Sequence, residues 1–274
     1  MSGEWTFLVV LWSASLAVVL AGARPISDGR LSTWSIRFNV LITETSAELI
    51  RPQLRRARTI RWTAFVVGVN VGSLPMYMNV IDVERAGDFA NTLTAQAPFI
   101  AAALGSVVAE IVFVRRRTRS RRTARLVERR WSDYVPTFWV RCIIGSLPIS
   151  LAAATVATGR DVGAGGWLWV GPAASALAIA AMTIGVHVVV NRPTLADDEH
   201  DLRVDDALRA DGVHHIVGAA FALAGVATSY SLAAAIGNLL SLVFALAPYA
   251  VIGIWHSLAA TERWNVDQAR LQRV

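Results

Sequence analysis

The residues of this 274-residue sequence most able to do chemistry are a few ionisable side chains inside long apolar stretches. Ionisable groups are costly within hydrocarbon and by default suggest an ion path, a proton relay or a ligand site. Glutamate and histidine exchange protons in a useful range, and histidine also binds metal ions and haem. The set comprises Glu110, Arg141, His187, His214, His215 and His256.

The spacing between these side chains and the flanking arginines predicts that they lie at a similar depth in the membrane. Glu110 lies five residues before Arg115, and His187 lies five residues before Arg192. At about 1.5 Å of helical rise per residue, both lie about 7 Å inside the same end of their apolar stretches. The other four also lie toward that end, so the sequence predicts a polar layer on one side of a membrane.

Three interpretations of this layer are open. In the first, which the shallow depth favours, Glu110 pairs with Arg141 and the histidines bond to nearby backbone. In the second, the layer is a transport or proton-coupling site that opens to the cytoplasm. In the third, His187, His214 or His215, and His256 hold a metal ion or haem.

Several kinds of chemistry are excluded by missing residues. All 26 basic residues are arginine, so no lysine can form a Schiff base or hold a nucleotide phosphate in a Walker loop. Cys142 is the only cysteine and permits no intramolecular disulfide. No Gly-x-Ser-x-Gly or His-Glu-x-x-His motif occurs. These absences weigh against an enzyme, and the sequence assigns no catalytic residue, metal or cofactor.

The elements that must position these residues are membrane helices. Apolar residues make up 54% of the chain, the mean hydropathy is +0.47, and the apolar stretches are long enough for helices to cross hydrocarbon. The sequence therefore predicts an all-α polytopic membrane bundle, a single domain over residues 1–274. Its seven transmembrane helices are expected at 5–22, 62–81, 93–114, 135–157, 167–190, 213–236 and 239–258. The first is expected to be retained, because Arg24 follows it and no basic residue precedes it.

Arginine distribution predicts the orientation. Of the 26 arginines, 23 fall in one alternating set of connections, and only Arg85 and Arg160 fall in the other. Because arginine in short loops stays inside, the N-terminus is predicted outside and the C-terminus inside a bacterial plasma membrane. The predicted cytoplasmic segments are 23–61, 115–134, 191–212 and 259–274.

Two of these segments carry opposite charge. Segment 115–134 holds nine arginines, and segment 191–212 holds seven acidic residues against three arginines. We expect the first to contact anionic lipid headgroups rather than nucleic acid, since its arginine run lacks interleaved aromatic residues apart from Trp131 and belongs to no recognised nucleic-acid fold. We also expect the two segments to dock on each other. A metal site in the acidic run is the alternative, but its spacing matches no calcium loop. The headgroup contacts are assigned to Arg115, Arg116, Arg117, Arg119, Arg121 and Arg122.

Segment 23–61 shows helical spacing of apolar residues from Trp34 to Leu49. This predicts an amphipathic helix on the inner membrane surface, ended by Pro52, with a partner-binding helix as the alternative. Local echoes also suggest an internal repeat: Arg24-Pro25 follows the first span as Arg192-Pro193 follows the fifth. Chance and shared composition are the alternative explanation.

Three functions are consistent with these features. The leading one is a transporter, or a membrane subunit, accessory or immunity component of a transport system whose ATPase is another chain. The second is a membrane enzyme or redox protein that uses Glu110 and the histidines. The third is a scaffold. Faces rich in alanine and glycine in the fifth and sixth spans predict tight packing or a homo-oligomer.

Overall fold

The described part of the chain is all-helical, which confirms the all-α part of the predicted fold class. The computed structural model describes residues 2–77, 97–98, 100–102, 104–112, 129–160, 168–192 and 199–236, and no strand occurs among them. A 3-10 turn, Trp131–Asp133, precedes the fifth helix. The helices are α1 (Ser2–Ala23), α2 (Asp28–Phe38), α3 (Glu44–Tyr77), α4 (Ile100–Val112), α5 (Thr137–Gly159), α6 (Val170–Val190) and α7 (Glu199–Ile236).

Three described helices, α5, α6 and α7, are each long and apolar enough to cross a membrane. Val9–Ala23 of α1 and α2 meet at an angle of 64°, and they add a fourth span if the bent pair is counted as one. Helix α4 lies within the predicted third span, and α3 contains most of the predicted second. The predicted span at 239–258 lies outside the described residues.

Helices α5, α6 and α7 pack around one apolar core that also includes Val107 of α4. Small residues allow this close packing, as predicted. A Cβ added at Gly171 of α6 would lie 2.0 Å from Ser231 Oγ of α7. The outward faces stay apolar, with Phe138 63% and Ile184 58% exposed. Such faces suit a lipid solvent.

Helix α3 packs on α1 and on α4. Asn70 of α3 donates a hydrogen bond of 3.1 Å to Ser15 Oγ of α1. A Cβ added at Gly105 of α4 would lie 2.4 Å from Ala64 Cβ of α3. The glycine is therefore required where the two backbones approach.

The predicted single amphipathic helix from Trp34 to Leu49 is wrong. Helix α2 ends at Phe38, and its C-cap residue Asn39 adopts the left-handed conformation at φ 49°. Leu41 then lies in the connection and is 83% exposed. The two halves of the predicted helix thus belong to different elements.

Helix α3 begins with reciprocal side-chain caps and continues through Pro52. Ser46 N donates to Thr43 Oγ1 at 3.2 Å, and Thr43 N donates to Ser46 Oγ at 2.9 Å. Such caps satisfy backbone donors at a helix start. Pro52 removes one backbone hydrogen-bond donor, but α3 continues through it. The prediction that Pro52 ends a helix is therefore wrong.

Helix α7 shows the same kind of extension. It begins at Glu199, so most of the segment predicted as a loop at 191–212 is helical and runs into the sixth span without a break. Its first turns pack with α2 and the start of α3 around an apolar cluster that includes Trp34, Ile50 and Leu208. We call this end of the bundle, residues 24–61 and 199–215, the polar end.

Candidate functional site

Arg209 of α7 closes the end of α6. Its side chain is fully buried, and its Nη1 donates to the carbonyl oxygens of Val189 at 3.1 Å, Val190 at 3.0 Å and Arg192 at 2.8 Å. The last carbonyls of a helix lack partners within the helix, and a cation there also interacts favourably with the helix dipole. Arg209 is therefore a C-terminal cap supplied by the next helix.

The charge of this cap is balanced by acidic residues one turn earlier in α7. Asp205 Oδ2 accepts hydrogen bonds from Arg209 Nε at 3.0 Å and Nη2 at 2.7 Å, and Asp205 Oδ1 accepts one from Arg192 at 3.2 Å. Asp206 pairs with Arg129 at 2.8 Å. This last pair joins the two segments that the sequence predicts to dock.

Glu110 is buried, at 3% exposure, and its Oε1 lies 3.3 Å from Arg61 Nη2 of α3. The predicted pair between Glu110 and Arg141 is wrong, because Arg141 lies on an exposed face of α5. Gly212 of α7 allows this placement of Glu110, since a Cβ at Gly212 would lie 2.8 Å from Glu110 Oε2.

The histidines are divided between different surroundings. His214 is buried and hydrogen-bonds through Nε2 with the carbonyl oxygen of Tyr134 at 2.9 Å. His215 Nδ1 lies 2.7 Å from the carbonyl oxygen and 3.5 Å from the carboxylate of Asp211. His187 is exposed and contacts Asn191 of its own helix at 3.1 Å.

These positions do not converge on a metal. Within the described residues, no group of three histidine, cysteine, aspartate or glutamate side chains is arranged to hold one. His256 and the arginines from Arg115 to Arg122 lie outside the described residues, so their predicted roles stay predictions.

A cavity of about 570 Å³ lies between the end of α1, the first half of α3 and the end of α4. Glu110 is part of its wall, so the buried carboxyl group borders an open space. The wall also carries Arg51, Arg55 and Arg56, and eight of its fourteen residues are apolar. The remaining wall residues are Ala23, Pro25, Ile26, Pro52, Gln53, Ala57, Thr59, Ile60, Ala109 and Val112.

Arginines of α3 cap α1 beside this cavity, as Arg209 caps α6. Arg55 Nε donates to the carbonyl oxygen of Ala23 at 2.6 Å, and Arg58 Nε donates to that of Gly22 at 2.8 Å. Here the cations crowd one another. Burial lowers the pKa of Arg58, and the neighbouring charges of Arg30 and Arg55 lower it further.

Sequence reasoning missed Arg61, Arg209 and the cavity. Arg209 could have been found from its spacing, since it follows Asp205 by four residues and so shares a helix face with it. Arg61 lies directly before the predicted second span, where an arginine is ordinarily expected to reach toward water.

Comparison of the chain with protein-family models, curated proteins and solved structures finds no match.

Proposed function

We propose that this protein is a transporter, or the membrane subunit of a transport system, in a bacterial plasma membrane. The proposal includes seven spans, an outer N-terminus and an inner C-terminus, so the polar end faces the cytoplasm. The observation that carries it is the cavity of about 570 Å³ that reaches Glu110, a carboxyl group otherwise buried against Arg61.

The position of Glu110 supports a moving site. Its carboxylate is held by α3, borders the cavity at the end of α4 and touches the backbone position of Gly212 in α7. A change in its charge would therefore act on three helices at once. Transport proteins use buried ionisable groups of this kind to couple binding with helix movement. An energy source on a separate chain is also part of the proposal.

The enzyme alternative gains less support, because His187 is exposed beside Asn191 whereas His214 is buried against the carbonyl oxygen of Tyr134. A scaffold requires no change of state at Glu110. The two remaining functions, transport and scaffolding, therefore differ in whether the cavity wall responds to the charge of that residue.

Cysteine labelling tests this difference without a known substrate. With Cys142→Ser as background, Ala57→Cys places a thiol on the cavity wall, and Gly29→Cys places one on exposed α2. Both are labelled with a membrane-impermeant maleimide in right-side-out and inside-out vesicles. We expect labelling from the inner side only, which also tests the orientation.

The decisive comparison adds Glu110→Gln, which removes the charge while preserving the shape of the side chain. We expect the labelling rate at position 57 to change and the rate at position 29 to stay constant. Glu44→Gln, at an exposed position of α3, is the matched control and should change neither rate. Equal labelling rates at position 57 with and without the Glu110→Gln substitution would contradict a moving site and favour a scaffold.

A further inference from the structure

The wall of the cavity combines guanidinium groups with apolar surface. Arg51 and Arg55 lie on successive turns of α3, and Arg56 follows Arg55 directly. Ile26, Ile60 and Val112 are among the apolar residues of the wall. Guanidinium groups bind phosphate oxygens through paired hydrogen bonds. Apolar walls favour a ligand that also has an apolar part.

The arginines of this wall differ in the ion pairs and hydrogen bonds that they already make. Arg51 pairs with Asp28, and Arg55 donates to the carbonyl oxygen of Ala23. Arg56 is exposed and makes no ion pair with any residue in the described ranges. Segment 23–61 has eight arginines against three acidic residues. Positive charge is therefore in surplus around the cavity.

Gln53 adds a hydrogen-bond acceptor to the same wall. Its side chain is only 5% exposed, and its Oε1 accepts no hydrogen bond from the part of the chain that the structure describes. A buried amide oxygen without a donor is costly. If the Gln53 amide turns toward the cavity, a ligand whose phosphate is flanked by a hydroxyl or ammonium group would supply that donor.

We propose that the cavity binds a phosphate ester that has an apolar part and a hydrogen-bond donor beside the phosphate. This names a ligand class for the proposed transport site, and it rests on that proposal for its location at the inner membrane face. Two sources carry this chemistry: a phospholipid with a glycerol headgroup, and a soluble phosphate ester. The apolar walls favour the phospholipid.

Native mass spectrometry of the full-length protein in detergent tests the proposal. The probes are short-chain phosphatidylglycerol, phosphatidylcholine with the same chains, and glycerol 3-phosphate. Phosphatidylcholine has the same phosphate diester but neither net charge nor a headgroup donor. The variants are Arg56→Gln and, as a matched control, Arg203→Gln, an exposed arginine that pairs with Glu199 at the start of α7.

We expect phosphatidylglycerol to bind about tenfold more tightly than phosphatidylcholine, because it adds both net charge and a donor. Arg56→Gln should weaken phosphatidylglycerol binding about fivefold, the value of one basic residue near an anionic surface, and Arg203→Gln should not. Ala57→Phe, which fills the cavity from a wall residue, should weaken it as well.

Other results have defined meanings. Glycerol 3-phosphate that binds as tightly as phosphatidylglycerol and responds to Arg56→Gln would support the site and identify the soluble ester as its source. Equal binding of the two lipids, or equal losses with Arg56→Gln and Arg203→Gln, would overturn the proposal. Neither result depends on the labelling rates at position 57, so the ligand proposal and the transport proposal can fail separately.

Discussion

Two helices in this molecule have their last carbonyls capped by arginines of a later helix, but acidic side chains neutralise the capping arginines at only one of them. At α6, Arg209 of the following helix caps the last carbonyls, and Asp205 binds both Arg209 and Arg192. At α1, Arg55 and Arg58 of α3 cap the last carbonyls, and their neighbours are further arginines. The same cap arrangement is therefore neutralised by acidic side chains at α6 and keeps surplus positive charge at α1.

The resemblance of the two ends follows the echo in the sequence. Arg24-Pro25 and Arg192-Pro193 each follow the capped helix, and in both cases the third or fourth turn of a later long helix supplies the caps, although the short helix α2 lies between α1 and α3. The ancestry of the two units stays a prediction. Their shared geometry has a physical cause, because every helix that ends near a membrane surface must satisfy its last carbonyls.

The largest expected effect is the loss of the balanced cap. Arg209→Met should lower the free energy of unfolding by about 3–5 kcal/mol, because the buried Asp205 loses two hydrogen bonds and three carbonyl oxygens lose the donor that Arg209 supplies. Unfolding in mixed detergent and SDS micelles measures this. The control Arg203→Met removes an exposed ion pair and should cost about 0.5 kcal/mol or less. Equal costs would show that burial of the network adds nothing.

A smaller effect is expected where Glu110 meets α7. Gly212→Ala should cost about 1–3 kcal/mol, because its Cβ would lie 2.8 Å from Glu110 Oε2 and force the carboxylate or the helix to shift. The same unfolding assay applies. Gly145→Ala is the matched helical control, since a Cβ there meets nothing within 4 Å, and it should be neutral or stabilising. A neutral Gly212→Ala would contradict the contact.

The unbalanced cap should cost less to remove than the balanced one. Arg55→Gln should lower the free energy of unfolding by about 1 kcal/mol, since its side chain is exposed and water can replace it at the carbonyl of Ala23. Unfolding monitored by tryptophan fluorescence would report the change. A loss as large as that of Arg209→Met would break the distinction between the two ends.

The smallest expected effect lies away from both ends. Ser150 and Ser175 hydroxyls lie 3.1 Å apart between α5 and α6. Ser175→Ala should cost about 0.6 kcal/mol, a usual value for a hydrogen bond between membrane helices. A loss of more than about 2 kcal/mol in the unfolding assay would mean that this pair, rather than the polar end, organises the bundle.

The sequence predicts the helices better than it predicts their partners. Apolar runs identify α1, α5 and α6 within a few residues, because hydrocarbon thickness sets their length. The extensions of α3 and α7 were missed because polar residues before a span are typical of a loop, although Asp205 and Arg209 are buried there. The partner of Glu110 was also missed. Proximity along the chain favoured Arg141, whereas tertiary packing brings Arg61.

The most direct test of the difference between the two ends is the melting temperature of Arg56→Gln with and without phosphatidylglycerol. Without lipid, the variant should melt within a degree or two of wild type, because Arg56 is exposed and outside any ion pair among the described residues. With lipid, wild type should gain stability by binding linkage and the variant should gain clearly less. A variant that already melts at a lower temperature without lipid, or whose melting temperature rises as much as that of wild type with it, would contradict the proposal that the cavity at the end of α1 binds a ligand.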